Sequence, residues 1–213
     1  MSRIQLDVNR PCPCGSGKLL KACCALEGLN SVRKVPATVT PRPPRTGYSH
    51  PSCYLSHTGD CSKKLSAEHY VSAALLRALG DKLLVGGMPW LRNGETKVVG
   101  INSLTAKVLC TRHNEALSPL DGEAARLFRT IKLVAAELDQ KSLARRPKQY
   151  ILSGEDLERW MAKLLMGTFR GKILARNAQP LSTTHSLNLS FLKQVFAGAL
   201  AYPRGLWIKA AVG

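Results

Sequence analysis

Cys110-Thr111-Arg112-His113-Asn114-Glu115-Ala116-Leu117-Ser118-Pro119-Leu120-Asp121 is the stretch whose reading decides the fold. A thiolate and an imidazole separated by two residues ligate the same zinc ion, and a C-x2-H knuckle after a β-region nails a small hairpin to the start of a helix. Two further ligands are needed upstream, and Cys53 and Cys61 stand there. Their seven-residue gap is wider than the usual C-x2-C knuckle. His57 lies between them as an alternative ligand; the two cysteines are preferred. The expected set is therefore Cys53, Cys61, Cys110 and His113.

Working outward, Lys82 to Val85 and Lys97 to Ile101 read as short strands near the turn signals Gly86-Gly87 and Asn93-Gly94. From Asp121 the period becomes helical: Ala124, Ala125, Leu127, Phe128, Ile131, Val134, Ala135 and Leu138 recur at three- and four-residue spacing. Ser118, Pro119 and Asp121 supply a start signal. Gly154 to Phe169 forms a second helix with Ser153 as its N-cap, burying Leu157, Trp160, Met161, Leu164 and Leu165. A third helix is expected over Ser190 to Leu200. Gly205 to Lys209 reads as a strand, which is what a terminal domain shows when the chain enters it without completing it.

Near the start, Cys12-Pro13-Cys14-Gly15-Ser16-Gly17-Lys18 followed by Cys23-Cys24 gives a C-x-C-x8-C-C pattern. Four soft thiolates close a tetrahedral zinc shell, and the glycines let the backbone turn tightly around the ion. A segment this small cannot build a core, so the metal supplies its folding energy. Asn9 to Lys18 with the later cysteine pair resembles the SEC-C motif, best known from the carboxy-terminal tail of a preprotein translocase motor and found as an add-on in many bacterial proteins. The resemblance implies a docking module for a protein or ribosomal partner, with Lys18 and Lys21 presenting charge.

Lysine and arginine number 31 against 14 acids, a formal net charge of +17. Self-repulsion of that size is tolerated when a polyanion or an acidic surface is the partner, and nucleic acid leads that list. Only 6% of residues are aromatic, which gives little support for single-strand recognition by base stacking. No window approaches the apolar length of a membrane span, no signal peptide opens the chain, and the cytoplasm is the expected compartment. In that reducing pool the seven cysteines read as metal ligands rather than disulfides.

Glu68-His69, Asn102 and Cys110-x-x-His113-Asn114 together resemble the HNH endonuclease family, the ββα-metal nucleases, as an H-N-N variant over roughly residues 50 to 128. An extra helix at Val71 to Leu79 is expected inside the module. The resemblance implies that His69 is the general base for a nucleophilic water and that Asn102 holds its ring. It also implies that Glu68 and the Asn114 amide oxygen ligate Mg²⁺ or Mn²⁺, hard cations that prefer oxygen. Lys63, Lys64, Lys107, Arg112, Arg126 and Arg129 flank this site and suit phosphate contacts. His50 and His185 belong to no pattern.

The expectation is thus an α+β protein: a zinc knuckle over 1–27, a Pro-rich basic linker over 28–49, an HNH-like ββα-metal module over 50–145 and a helical C-terminal region over 146–213. It carries two structural Zn²⁺ ions and cleaves DNA, or RNA, with a divalent metal. The rival reading is a non-catalytic adaptor that grips nucleic acid, ribosome or an acidic protein.

Overall fold

Two strands far apart in sequence are brought side by side where the cysteine and histidine ligands lie. In a computed structural model of the chain, residues 7–26, 31–139, 149–176, 179–183 and 194–196 are described. The elements are β1 (Ala25–Leu26), β2 (Ser31–Val32), β3 (Leu65–His69), α1 (Ala73–Leu79), β4 (Lys82–Gly86), β5 (Thr96–Gly100), β6 (Thr105–Cys110), α2 (Thr111–Asp139), α3 (Gly154–Arg170), β7 (Ala175–Arg176) and β8 (Gln179–Pro180). Helix and sheet are mixed, and among the described residues every sheet has two antiparallel strands.

β3 pairs with β6, Leu65 opposite Cys110 and His69 opposite Thr105. Between them the register shifts: Ser66 faces Leu109 while Glu68 faces Ala106, so β6 carries one extra residue. Such a bulge re-aims the side chains beside it. The expected strands and the extra helix are present as β4, β5 and α1. β4 and β5 form a hairpin whose inner residues Leu83, Val85 and Val99 pack on Leu76, Ile101 and Leu104, while Leu84 and Val98 face out.

α2 begins at Thr111, well before the expected start at Asp121. The ligand knuckle itself opens the helix, and Pro119 lies inside it instead of starting it. Proline removes the N–H that would have bonded the carbonyl four residues back. That carbonyl belongs to Glu115, and the Ser118 hydroxyl donates to it at 2.8 Å. Leu117, Leu120 and Ala124 are fully buried. Phe128, Ile131 and Val134, assigned to the buried face by their spacing, are instead exposed, because α2 runs on past the core. Phe128 still meets the Trp160 ring edge-on, with ring centres 6.3 Å apart.

α3 starts where expected. The Ser153 hydroxyl accepts from the Asp156 N–H at 3.1 Å, and Glu155 and Asp156 place negative charge in the first turn, where the helix dipole favours it. Trp160, Ala162, Met166 and Phe169 face inward. Leu165, expected inside, is exposed, and the inward face holds Arg159 and Lys163 in its place. Of the expected helix over Ser190 to Leu200 only 194–196 are described; they are helical, and Val195 and Phe196 join the main core. The expected strand from Gly205 to Lys209 lies outside the described residues.

The proline-rich segment is strapped down along most of its described length. Lys34 pairs with the buried Glu123 of α2, the Ala37 N–H donates to both Asp156 carboxylate oxygens at 3.0 and 3.1 Å, and Arg159 donates to the Ala37 carbonyl at 3.1 Å. Val39 enters the core. Arg112 donates to the Pro44 carbonyl at 2.8 Å while its guanidinium holds Asp60 at 3.0 Å. The basic residues that marked this stretch as a linker are in part the clips that fix it. No helix among the described residues is long and apolar enough to cross a membrane.

The burial pattern separates two substitutions on α2. Leu117→Ala, at a fully buried position, should lower unfolding free energy by about 2–5 kcal/mol in urea titrations. Ile131→Ala, on the exposed extension, should change it by less than about 1 kcal/mol.

Candidate metal centres and the Glu68–His69 cluster

β6 ends at Cys110, and one helical turn later His113 points back toward it. The loop before β3 delivers Cys53 and Cys61: the Tyr54 N–H bonds to the Val108 carbonyl of β6 at 3.0 Å, and the Cys61 N–H to the Tyr48 carbonyl at 2.7 Å. Cys53, Cys61, Cys110 and His113 are all buried, and their ligand atoms lie within 4.8 Å of one another. His113 Nδ1 is 3.6, 3.7 and 3.2 Å from the three sulfur atoms. Tetrahedral zinc with ordinary Zn–S and Zn–N bonds requires S···N separations of about 3.5 Å, so the group fits the ion.

The outer bonds agree. Thr58 Oγ1 donates to the Leu55 carbonyl at 2.9 Å, which leaves its lone pairs for His113 Nε2 at 3.0 Å. Nε2 therefore carries the proton and Nδ1 is free to ligate. Burial lowers the His113 pKa to about 4 and pushes the Cys53 thiol up to about 12. Three thiols in so dry a place ionise together only around a cation. His57 stands outside the four, so the two upstream cysteines are the ligands of choice.

The second group is Cys12, Cys14, Cys23 and Cys24, also within 4.8 Å. The Cys12 N–H bonds to the Lys18 carbonyl at 2.7 Å and the Gly15 N–H to the Cys12 carbonyl at 3.0 Å, closing a tight loop in which Gly15 and Gly17 have φ of 75° and 76°. Both Cys23 and Cys24 donate their N–H to the Leu20 carbonyl at 3.1 Å, which aims their sulfur atoms back at the loop. Burial raises the Cys14 thiol, but hydrogen bonds from Ser16, Cys12 and Cys23 outweigh it and bring the pKa down to about 6. The Cys24 thiol is raised by burial and by its neighbours. Residues 9–26 match the SEC-C motif. This SEC-C knuckle lies against the main body: Arg126 of α2 donates to the Pro13 carbonyl, and the Ile151 N–H does so at 3.3 Å. No curated protein and no solved structure matches the chain.

Beside the mixed cysteine–histidine group lies a polar cluster. Asn114, in the first turn of α2, donates to Ser66 Oγ at 2.7 Å and lies near enough to Glu68 on the same strand to favour its ionised form. Glu68 is 7% exposed and pairs with Lys163 Nζ of α3 at 2.8 Å; the same ammonium contacts Asp121 of α2. Burial raises the Glu68 pKa against the pull of Lys163. His69 ends β3, and Asn102, in the turn before β6, lies near enough to favour the charged form of its ring. Burial, with Arg77 adding to it, lowers the His69 pKa, and its Nε2 is buried without a hydrogen-bond partner among the described residues. Thus Glu68 meets Asn114, and His69 meets Asn102, as two neighbouring pairs that share the field of Asp121 and Lys163.

The side chains as placed do not fit a hard divalent cation on Glu68, because the Lys163 ammonium holds that carboxylate. Of the flanking cations, Arg112 and Arg126 are committed to Asp60 and to Pro13, whereas Lys63, Lys64, Lys107 and Arg129 are exposed. Sequence reasoning missed Lys163, Asp121 and the buried Tyr54. The available signal was a lysine three residues after Trp160 and three before Met166, on the apolar face of α3.

Elemental analysis should find two zinc ions per chain. Cys14→Ser should remove one and leave the fold of 50–170 intact by circular dichroism. Cys110→Ser should remove the other and melt the β3–β6–α2 unit.

Proposed function

We propose that the chain acts on nucleic acid as an HNH-type nuclease that hydrolyses phosphodiester bonds of DNA, with RNA as the alternative substrate. What supports this reading is that Glu68 and His69 adjoin on β3, with Asn114 beside Ser66 and Glu68 toward the cysteine–histidine end of the β3–β6 pair and Asn102 near His69 at the other end. In this reading Glu68 and the Asn114 amide oxygen would hold a divalent metal once Lys163 is drawn away, and the metal would supply charge neutralisation on the phosphate. The chain's own part is the proton. His69 is neutral at pH 7 because its pKa lies below the ordinary value, and its unpartnered Nε2, buried as it stands, would take the proton from a water admitted to the cluster. Asn102 fixes the ring. Exposed Lys63, Lys64, Lys107 and Arg129 supply sequence-independent grip on the backbone, and the SEC-C knuckle adds a docking surface for a protein or ribosomal partner.

A second reading, a non-catalytic adaptor that binds nucleic acid through the same surface, is favoured by one observation: Glu68 is closed off by Lys163.

Plasmid incubated with the zinc-loaded protein and Mn²⁺ separates the two. The nuclease reading expects nicking that His69→Ala reduces at least a hundredfold with zinc content unchanged; salt-sensitive binding without turnover means the adaptor. The rate should fall on the acid side with a midpoint below pH 6.5, since burial favours the neutral ring and protonation abolishes the base. A midpoint above 6.5 contradicts His69 as that base.

A further inference from the structure

Lys163 is 4% exposed and lies on the inward face of α3, where its neighbours along the helix are Trp160 and Met166. An isolated ammonium there would lose its proton or unfold the site, because burying an unpaired charge is far costlier than any packing gained. It survives by standing between two carboxylates from different elements: Glu68 of β3 at 2.8 Å and Asp121 of α2. The opposing charges do not balance. Two carboxylates around one ammonium leave one negative charge in excess, with Glu68 buried and the Asp121 side chain a quarter exposed. Tyr54 is also buried there, 5% exposed, and its hydroxyl has no hydrogen-bond partner among the described residues. Asn114 completes the ring of oxygen and amide groups with its contacts to Ser66 and Glu68. The surroundings are those of a cation site, and the cation in it is a side chain.

We propose that Lys163 is a built-in cation that closes the Glu68–Asp121 pair to divalent metal, so that a hard cation must displace its ammonium to enter. Both charges compete for the same carboxylate oxygens, and a divalent ion answers the excess negative charge better than an ammonium does. The lysine has the advantage of being covalently present at high local concentration. A metal in solution bears the whole cost of displacing it and of finding the ammonium a new place. The resting protein is therefore metal-free at this site at ordinary Mg²⁺ levels, and any event that draws Lys163 away opens the site. A phosphate brought against the cluster is one such event, since it offers the ammonium an alternative anion. The link to turnover rests on the nuclease reading; the competition for metal does not.

Mn²⁺ binding to the full-length, zinc-loaded chain, followed by electron paramagnetic resonance of the free ion, tests the competition. Lys163→Met should bind one Mn²⁺ at least tenfold more tightly than the unaltered protein, and Glu68→Gln added to it should abolish the gain. Equal affinity of the unaltered protein and Lys163→Met overturns the proposal, as does a gain that survives Glu68→Gln. Should Lys163→Met lose zinc or helical signal, Lys163→Gln keeps a donor for Glu68 and carries the same test. Reductive methylation of the unaltered protein, read by peptide mass, needs no variant. Lys163 should resist labelling at least tenfold more than Lys63 and lose that protection in millimolar Mn²⁺; labelling at the rate of Lys63 without metal overturns the proposal. Mn²⁺ bound to Lys163→Met with no nicking by any variant leaves the lysine in its role and removes the nuclease reading. Nicking without the gain in affinity does the reverse.

Discussion

Three sulfur atoms and one ring nitrogen, drawn from a loop, a strand end and the first turn of a helix, meet in a buried space the size of one ion. Everything in the middle of the chain is arranged by that meeting. Cys110 closes β6 and His113 opens α2, so an ion held between them would fix the angle between strand and helix. Cys53 and Cys61 pull the preceding loop across, and the Tyr54 amide then bonds to β6. A two-stranded sheet is marginal in water by itself. Here the metal group and the apolar contacts of Leu109, Leu117, Leu120 and Ala124 supply what the strands lack.

The same constraint explains the polar cluster beside it. With the start of α2 pinned, Asn114 lies next to Ser66 and Glu68, and Asp121, two turns on, lies on the same side. α3 is then held by its own N-cap, by Asp156 bonding to the Ala37 amide, and by Lys163 reaching across to β3 and α2. Lys163 has a double part in this: it ties three elements together and neutralises half of the charge they bring. Buried ion pairs of this kind give little net stability against an apolar replacement, but removing one partner leaves a buried charge without compensation.

Much of this was legible in the residues. The C-x-C-x8-C-C pattern and the C-x2-H knuckle each pointed to a quartet that the fold brings within 4.8 Å, because soft ligands at short spacing suit a metal ion. α3 was legible from Ser153 and its apolar period. Two things misled. Pro119 reads as a helix start, and nothing in the local pattern says that the Ser118 hydroxyl will satisfy the Glu115 carbonyl in its place. The stretch 28–49 reads as an extended basic linker, because proline and arginine signal exposure until the acids that hold Lys34, the Ala37 amide and the Thr46 amide, namely Glu123, Asp156 and Asp60, are seen from elsewhere in the fold. Lys163 was passed over for the same reason: periodicity finds apolar residues on a face, and a buried charge is defined by partners distant in sequence.

The account stands on zinc in both groups, one with four sulfur ligands and one with three sulfur atoms and the Nδ1 of His113. X-ray absorption at the zinc edge of the intact chain tests it most directly. The account predicts a shell dominated by sulfur at about 2.3 Å, with a single nitrogen contribution near 2.0 Å shared over the two sites. A shell in which oxygen and nitrogen at about 2.0 Å outnumber sulfur would contradict it.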